Sequence, residues 1–297
     1  MKTLLVGDNS FIGVSHLSQD RARERAEKLK VASIVKIIET AVDAGASGYT
    51  FSTHPINLQI LAELKSSDKL KNELELDPVL PYAQSYVRLA NEKGMRGLVD
   101  ETLNKLSVLD RAKTVIETGF SAMRLDPIGL MKSYLDLELK SYLNVKPENS
   151  NIRTVLLHEV VTDLCLGLRN VGMFEAFAKH VREKYHASPG FVTYNLVRFV
   201  EVFREAGLPL QGITIMTPFN SIGFQMSQTR QSCEDCLSTL NEGDVIAMSV
   251  LAGGYSKLDE AVSYISGLPK LSGVAVGVSS EEHARDTFAK LRSIIEE

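Results

Sequence analysis

Short apolar runs alternate with amphipathic segments along the whole chain. The runs that have the length and apolar character of buried strands are Thr3–Val6, Gly48–Ser52, Val79–Ala83, Ala122–Leu125, Thr154–Leu157, Phe191–Tyr194, Ile213–Met216, Val245–Val250 and Val274–Val276. Between the first two runs, Ile34, Ile37, Ile38 and Ala41 recur at the spacing of one helical face. Strands that are apolar on both faces and separated by helices indicate a parallel sheet covered by helices.

Two architectures satisfy this pattern, an open doubly wound sheet and a closed (β/α)₈ barrel. The chain has 297 residues and no linker or shift in composition that would divide it, and this length suits one barrel with modest insertions. We therefore predict an α/β fold, a (β/α)₈ TIM barrel that forms a single domain over residues 1–297. The candidate strands outnumber the eight positions of such a barrel by one. Ala122–Leu125 is the weakest of them, and we interpret it as an extra strand or an extended loop.

Composition narrows the class of protein. The chain is 44% hydrophobic and 24% charged, with a net charge of −4 and no basic block, which argues against nucleic-acid binding through phosphate neutralisation. No apolar run approaches the length of a membrane span or of a secretory signal. The 3 cysteines do not suggest a disulfide framework. We expect a cytoplasmic protein that acts on a small molecule, in an oligomeric state that the sequence does not specify.

Polar residues follow the predicted strands, at the end of a barrel where active sites are built. We predict catalytic roles for Asp8, His54, His158 and Glu159. His158 is the strongest candidate because it ends a very apolar run, and its imidazole suits a general acid or base, or an orienting donor. The alternative is a buried histidine that a neighbouring backbone group satisfies. Strand alternation predicts that His158 and Glu159 point to opposite sides.

Metal binding is the weaker interpretation of these residues. A zinc site could be formed if strand-end ligands converged in space, and the candidates are Asp8, His16, His54, His158 and Glu159. Neither an HxH nor an HExxH spacing occurs, and the CEDC motif of Cys233 and Cys236 lacks a second cysteine pair. We therefore assign no metal ligands, and we interpret CEDC as part of a surface helix and Cys165 as a core residue.

Two stretches near the end of the chain suggest anion binding. LAGGYSKL contains the pair Gly253 and Gly254, and VAVGVSSEEH places Ser279 and Ser280 at the start of a predicted helix. In TIM barrels the loops after the last two strands often bind phosphate. The same serines can also serve as an ordinary helix cap. The pattern therefore leaves an anion site and a plain cap as alternatives.

The last fifty residues or so resemble the C-terminal part of aldo/keto reductases. The carrying motifs are SVLAGGY, like the family's MKPLAGG-type strand, and GVSSEEH, like its GxSSxEE turn. The resemblance implies a TIM barrel and an NAD(P)H cofactor. It assigns cofactor binding to Ser249, Gly253, Gly254, Gly277, Ser279 and Ser280. The run TVLLHEV is also similar to the strand that carries the family's active-site histidine, which matches His158.

The remaining catalytic residues of that family have no match. Ser52 stands where the resemblance places an aspartate, Asn57 where it places the proton-donating tyrosine, and Gln84 where it places a lysine. The resemblance therefore implies the reductase scaffold with an altered active site. Oxidoreduction is the favoured reaction class. Hydrolase or lyase chemistry by the strand-end residues, with or without a metal, and a non-catalytic ligand-binding barrel remain the alternatives, and the substrate is not specified.

Overall fold

A computed structural model of the protein describes residues 3–14, 29–67, 74–81, 127–148 and 150–296. Its strands are β1 (Thr3–Gly7), β2 (Gly48–Ser52), β3 (Glu75–Leu80), β4 (Asn151–Ile152), β5 (Thr154–Leu157), β6 (Ser188–Val192), β7 (Thr214–Pro218), β8 (Asp244–Met248) and β9 (Leu271–Gly277). All pairings between them are parallel, and the ring closes because β1 pairs with both β2 and β9 while β2 pairs with β3.

β4 and β5 together fill one position of this ring. β4 pairs with the first residues of β3, and β5 pairs with the last residues of β3 and with β6. Arg153 lies between the two pieces. The described strands therefore occupy eight positions, and the predicted (β/α)₈ barrel is confirmed. Ala122–Leu125 lies outside the described residues, and the barrel closes without it.

Several strand boundaries differ from those that the apolar pattern predicts. β3 begins at Glu75, four residues before the predicted start at Val79, because this strand includes the charged residues Glu75 and Asp77. Asp77 is buried inside the barrel and paired with Arg153. β6 begins at Ser188 and contains Pro189 and Gly190, which are typical of turns. The observed strands therefore start earlier than predicted where charged or turn-forming residues interrupt the apolar run.

The helices are α1 (Val31–Asp43), α2 (Pro55–Lys65), α3 (Pro127–Val145), α4 (Glu159–Gly167), α5 (Val171–His180), α6 (Leu196–Glu205), α7 (Arg230–Thr239), α8 (Leu258–Ser266) and α9 (Glu281–Glu296). In α1 the predicted face of Ile34, Ile37, Ile38 and Ala41 is buried. No helix among the described residues combines the length and the apolar character needed to cross a bilayer.

α5 continues into a π-helical turn, Val181–Tyr185, which ends at His186 with a φ of 52°. This turn contacts α3 through one carboxylate. Asp136 of α3 accepts hydrogen bonds from Lys184 and Tyr185, and it lies beside the imidazole of His180. These contacts lower the pKa of Asp136 despite its burial, so the carboxylate stays charged and holds α3 against the end of α5.

Side chains alternate between the inside of the barrel and the outer layer of helices. The inner core consists of Leu5, Leu156, Val192, Met216, Ile246 and Ala275. Ser52 is on the inner side, because it pairs in register with Val79, which packs against the inner core. His158 and Tyr194 follow the ends of β5 and β6. These three residues lie at or just after the carboxyl ends of their strands, an end of the barrel that we name the carboxyl-terminal mouth.

Candidate active site

The predicted catalytic residues all lie at the carboxyl-terminal mouth. Asp8 directly follows β1, His54 begins α2 after β2, and His158 and Glu159 begin α4 after β5. At the adjacent ends of β1 and β9, Gly7 pairs in register with Gly277. A Cβ at Gly7 would lie 3.5 Å from the Gly277 backbone nitrogen, so the two strands approach closely here. The prediction that these residues meet at one end of the fold therefore agrees with the structure, and their catalytic roles stay predictions.

His158 and Glu159 are in contact, which contradicts the expectation that they point to opposite sides. The Nδ1 atom of His158 lies 3.2 Å from a carboxylate oxygen of Glu159. Strand alternation does not apply here, because β5 ends at Leu157 and His158 is already the N-cap of α4. The same Nδ1 accepts a hydrogen bond from the backbone N–H of Val160 at 3.2 Å, as the alternative interpretation expected. His158 is therefore held in place by its own helix.

Burial shifts the two groups in opposite directions. It lowers the pKa of His158 to about 4, because desolvation disfavours the imidazolium. It raises the pKa of Glu159 to about 7, and the nearby carboxylate of Asp163 adds to the rise. At neutral pH the imidazole is therefore uncharged and Glu159 is close to half protonated. A carboxyl group tuned in this way is suited to proton transfer.

Asp163 and Tyr194 extend this group toward β6. The carboxylate of Asp163 accepts hydrogen bonds from the Thr193 hydroxyl at 2.5 Å and from the Tyr194 backbone N–H at 3.2 Å. Burial and the charges of Glu159 and Asp163 raise the pKa of Tyr194 to about 12. The phenol of Tyr194 therefore keeps its proton, and it can act as a hydrogen-bond donor.

Asp8 belongs to a second, buried network on the opposite flank. Its Oδ2 atom accepts hydrogen bonds from the Ser52 backbone N–H at 2.8 Å, the Ser52 hydroxyl at 2.7 Å and the Asn57 amide at 2.8 Å. Asn57 in turn accepts a hydrogen bond from the Tyr49 hydroxyl at 2.6 Å. Ser52 and Asn57, the two positions at which the resemblance places aspartate and tyrosine, thus both support a carboxylate that comes from β1.

His54 has a local structural role like that of His158. Its Nδ1 accepts a hydrogen bond from the Ile56 backbone N–H at 3.3 Å and so caps α2. Its backbone carbonyl accepts a hydrogen bond from the Tyr142 hydroxyl at 3.0 Å. His54 is close enough to Asp8 to favour the charged form of that carboxylate. His54 therefore contributes to the electrostatics of the Asp8 network.

The loop after β8 forms a tight turn around Gly253 and Gly254. Ser249, Gly253 and Gly254 all have positive φ, at 53°, 69° and 104°. The backbone N–H groups of Ala252, Gly254 and Ser256 donate to carbonyls within the loop. Ser249 lies 3.4 Å from a side-chain oxygen of Gln225. The glycines are used as the sequence suggests, while these N–H groups are occupied by the loop itself.

The turn after β9 begins α9. The Ser280 hydroxyl accepts a hydrogen bond from the His283 backbone N–H at 3.1 Å, which is the geometry of a helix cap. Ser279 is exposed beside it, and Glu281 and Glu282 occupy the first turn. Space beside Gly277 is limited, since a Cβ there would lie 3.2 Å from the Ser10 hydroxyl. The cap is thus observed, and anion binding at Ser279 stays a prediction.

The structure shows where the three cysteines lie and whether the described residues include a cluster of potential metal ligands. Across the described part of the chain, no cluster of three or more histidine, cysteine or acidic residues could hold a metal ion. CEDC lies in α7, with Cys233 buried and Cys236 partly buried, and burial raises the pKa of both thiols. Cys165 is buried. These thiols therefore pack as side chains of the helical layer.

Sequence reasoning did not assign site roles to Tyr49, Asn57, Asp163 and Tyr194. Asp163 comes soon after the predicted strand Thr154–Leu157, and Tyr194 ends the predicted strand Phe191–Tyr194. This position at strand ends is the signal that points to them. Tyr49 faces outward within β2, and only the folded structure shows that it supports Asn57. His16 and Gln84 lie outside the described residues.

The chain matches no protein-family model and no curated protein. It does match solved structures over nearly its whole length. Two of them are structures of a protein from Pseudomonas aeruginosa that is assigned as an aldo-keto reductase. Each is 12% identical to this chain, and each match covers 98% of this chain and 90% of the other. The TM-scores are 0.57 and 0.58. The holo form of an aldo-keto reductase from Bacillus halodurans is 11% identical, with a TM-score of 0.55 and coverage of 99% and 90%.

These similarities establish the class of fold. At such low identity they concern the backbone architecture alone, and they confirm that this chain forms a TIM barrel like that of aldo-keto reductase structures. Activity has to be argued from the side chains at the mouth.

Proposed function

We propose that this protein is an enzyme whose carboxyl-terminal mouth binds an anionic small molecule and protonates it, with Glu159 as the proton donor. The observation that carries the proposal is the contact between two groups at the mouth, the carboxyl group of Glu159 and the imidazole of His158, at 3.2 Å. The Glu159 side chain is 20% exposed, so a bound molecule can reach it. The Nδ1 atom of His158 lies beside this carboxyl group and accepts a hydrogen bond from the Val160 backbone N–H.

Oxidoreduction is the reaction class that the fold similarity favours. In carbonyl reduction the carbon receives a hydride and the oxygen receives a proton. Asn57 stands where the resemblance places the proton-donating tyrosine, and an amide is not an acid at neutral pH. Glu159, with a pKa raised to about 7, supplies this proton, and the phenol of Tyr194 donates a hydrogen bond to the same oxygen.

The fit of a nicotinamide cofactor is partial. Such a cofactor, when bound, supplies the hydride. Ser279 and the first turn of α9 are exposed and would hold one of its phosphates. The loop after β8 fits less well, since several of its backbone N–H groups are used within the loop. The anion is therefore assigned to Ser279.

The decisive test compares Glu159→Gln with Glu175→Gln, which removes the same charge from an exposed position on α5. Small aldehydes, ketones and sugar phosphates are assayed with NADH, with NADPH and without either. We expect turnover that declines as the pH rises through about 7, where Glu159 loses its proton. We expect Glu159→Gln to lower turnover about 10²- to 10⁴-fold. Equal turnover in the two variants would refute the role of Glu159.

The same assay separates the reaction classes. Turnover that requires NADH or NADPH identifies an oxidoreductase. Turnover that depends on Glu159 without either cofactor identifies the hydrolase or lyase alternative. Ligand binding without turnover identifies a binding barrel.

Anion binding is tested separately with Ser279→Asp, and Ser293→Asp serves as the control near the other end of α9. A carboxylate at residue 279 repels an anion, so we expect phosphate-bearing ligands to bind this variant about 10-fold more weakly. Calorimetric titration of both variants measures the effect. Identical affinities would place the anion elsewhere.

A further inference from the structure

A cavity of about 440 Å³, which we name the amino-terminal cavity, lies at the end of the barrel opposite to the carboxyl-terminal mouth. Small-molecule sites commonly have volumes of about 300–1,000 Å³. Ser188 and Asp244, which begin β6 and β8, line this cavity and are exposed to solvent. Thr154, Thr214 and Ile246 also line it and are buried. A molecule can therefore enter from solvent and contact buried side chains of the barrel.

The buried part of this lining is polar. Thr154 and Thr214 stand two positions before Leu156 and Met216, which belong to the inner core. Residues two apart in a strand point to the same face, so both threonines point into the barrel. Interior layers of TIM barrels are filled mainly by branched apolar side chains. Hydroxyl groups at this level therefore give the amino-terminal cavity hydrogen-bonding groups at depth.

The hydroxyl group of Thr214 is not used by the fold. Among the described residues it makes no hydrogen bond, although Thr214 is only 5% exposed. In the same part of the chain, the Thr287 hydroxyl is the one fully enclosed side-chain polar atom without a partner, so the Thr214 hydroxyl keeps some accessible surface. Because Thr214 lines the cavity, this surface is turned toward it. A hydroxyl both donates and accepts, so a molecule in the cavity can supply either partner.

The charged side chains at the cavity favour a neutral molecule over an ion. Arg153 Nε donates to Asp77 at 3.1 Å, and the Lys270 ammonium donates to the Leu240 carbonyl at 2.8 Å. Asp244 brings a further carboxylate to the lining. Groups of both signs are thus present, and the cations already have partners. An ion of either sign would lose hydration and meet a like charge, whereas a neutral molecule would not.

We propose that the amino-terminal cavity binds a neutral polyhydroxylated molecule of the size of a monosaccharide or cyclitol. One of its hydroxyl groups bonds to the Thr214 hydroxyl. Another donates to the carboxylate of Asp244, which accepts only one of its several possible hydrogen bonds from Ser272, at 2.9 Å. The cavity lies at the opposite end from the carboxyl-terminal mouth, so this proposal does not rest on the proposed function.

Isoleucine methyl resonances can locate the bound molecule by NMR. Ile246 lines the cavity, Ile56 lies in the first turn of α2 at the carboxyl-terminal mouth, and Ile34 is buried in α1. Glucose, ribose, mannitol and myo-inositol are titrated into the labelled protein, each beside its monophosphate ester and a monoamino derivative. We expect at least one neutral polyol to shift the Ile246 signal in a saturable manner, with Ile34 unchanged. Its charged derivatives should bind there no more tightly.

Thr214→Val tests the assigned contact, because it removes the hydroxyl and keeps the shape of the side chain. Thr287→Val is the matched control, since it also removes a buried hydroxyl without a partner, but from α9 and outside the cavity. We expect Thr214→Val to weaken polyol binding at Ile246 about 3- to 10-fold, the effect of one hydrogen bond, and Thr287→Val to leave it unchanged. Asp244→Asn removes the charged acceptor and should weaken binding as well. Melting temperatures check the folding of each variant.

Three outcomes overturn the proposal: no saturable shift of Ile246 with any of the four polyols, tighter binding of a charged derivative than of its parent at Ile246, or equal polyol affinity in Thr214→Val and Thr287→Val. A shift of Ile56 alone would place the polyol at the mouth and also overturn it. If Thr214→Val does not fold, unchanged affinity in Asp244→Asn overturns it instead. Glu159→Gln should leave the Ile246 titration unchanged, so this proposal and the proposed function fail separately.

Discussion

The two ends of the barrel use buried carboxylates in opposite ways. At the amino-terminal end, Asp77 is fully buried, and both of its oxygens are occupied. Oδ1 accepts hydrogen bonds from Arg153 Nε and the Thr154 backbone N–H at 3.1 Å each, and Oδ2 is bound by the second arm of Arg153. At the carboxyl-terminal end, Asp8 Oδ2 accepts three hydrogen bonds from uncharged donors, and Glu159 lies beside the imidazole of His158. The carboxylate at the amino-terminal end is thus paired with a cation, whereas these two contact uncharged groups at neutral pH.

The amino-terminal cavity lies at the same end of the barrel as Asp77. Its volume is about 440 Å³, and it is lined by residues such as Thr3, Arg153, Asp244 and Lys270. Its charged groups are already bound by the protein. Arg153 binds Asp77, Asp244 accepts a hydrogen bond from Ser272, and Lys270 donates to the Leu240 carbonyl. These charged groups are therefore used within the fold.

The largest expected effect breaks the completed pair. Arg153→Met leaves the Asp77 carboxylate buried without its partner, and we expect the free energy of unfolding to fall by about 3–5 kcal/mol. The control is Arg169→Met, because Arg169 pairs with Glu205 at the exposed surface and should cost less than about 1 kcal/mol. Urea unfolding measures both. Equal losses would mean that the Asp77 pair is not the stabilising element we describe.

The second prediction concerns the pair at the carboxyl-terminal mouth. The pKa of Glu159 is raised from 4.5 to about 7, so its contribution to stability is complete below pH 4.5 and is lost as the pH rises toward 7. The pKa of His158 is lowered from 6.5 to about 4, so its contribution is complete above pH 6.5 and is lost as the pH falls toward 4. The two contributions oppose each other in the overlapping range.

Single substitutions should separate these contributions. Relative to wild type, we expect Glu159→Gln to lose up to about 3 kcal/mol of unfolding free energy as the pH falls from 7 to 4.5. We expect His158→Gln to gain up to a similar amount as the pH falls from 6.5 to 4. Denaturant titrations across this range measure both slopes. Parallel slopes in the two variants would contradict the opposite shifts.

The smallest expected effect concerns the Ser280 hydroxyl, which already has a hydrogen-bond partner at the carboxyl-terminal mouth. We expect it to stabilise the fold, as the paired groups at the amino-terminal end do. Ser280→Ala removes the cap of α9 and should cost about 1 kcal/mol of unfolding free energy. Ser293→Ala, farther along the same helix, serves as the control and should cost less than about 0.5 kcal/mol. Thermal unfolding of the two variants gives the comparison. An unchanged melting temperature in Ser280→Ala would show that this hydroxyl is not a cap in solution.

The fold was largely predictable, because the strands of a parallel barrel are buried on both faces and therefore occur in the sequence as apolar runs. Strand boundaries were predicted less accurately where the interior of the barrel is polar. Glu75 and Asp77 lie inside β3, and their burial depends on Arg153, which is far away in sequence. Periodicity within a strand carries no information about such a distant partner, so the start of β3 was misplaced.

The location of the candidate site could be predicted from the sequence, but the contacts among its residues could not. Strand ends identified Asp8, His158 and Glu159, because barrel topology brings these ends together. The contact between His158 and Glu159 was missed, because alternation was extended one residue past the end of β5. The partners of Asp8 were missed as well, since Ser52 and Asn57 were examined as replacements in a family motif. Their hydrogen bonds to a neighbouring strand become visible only in the fold.

The π-helical turn at Val181–Tyr185 determines the direction in which its side chains point around the helix axis. An α-helix rotates by about 100° per residue, so each added or removed residue turns every later side chain to a different direction. The wider π turn accommodates one extra residue before β6, and Lys184 and Tyr185 face Asp136 with that residue in place. Deleting one residue from this turn would leave β6 attached to the barrel while rotating both side chains away from α3. Chain length in this turn thus specifies which side chains meet Asp136.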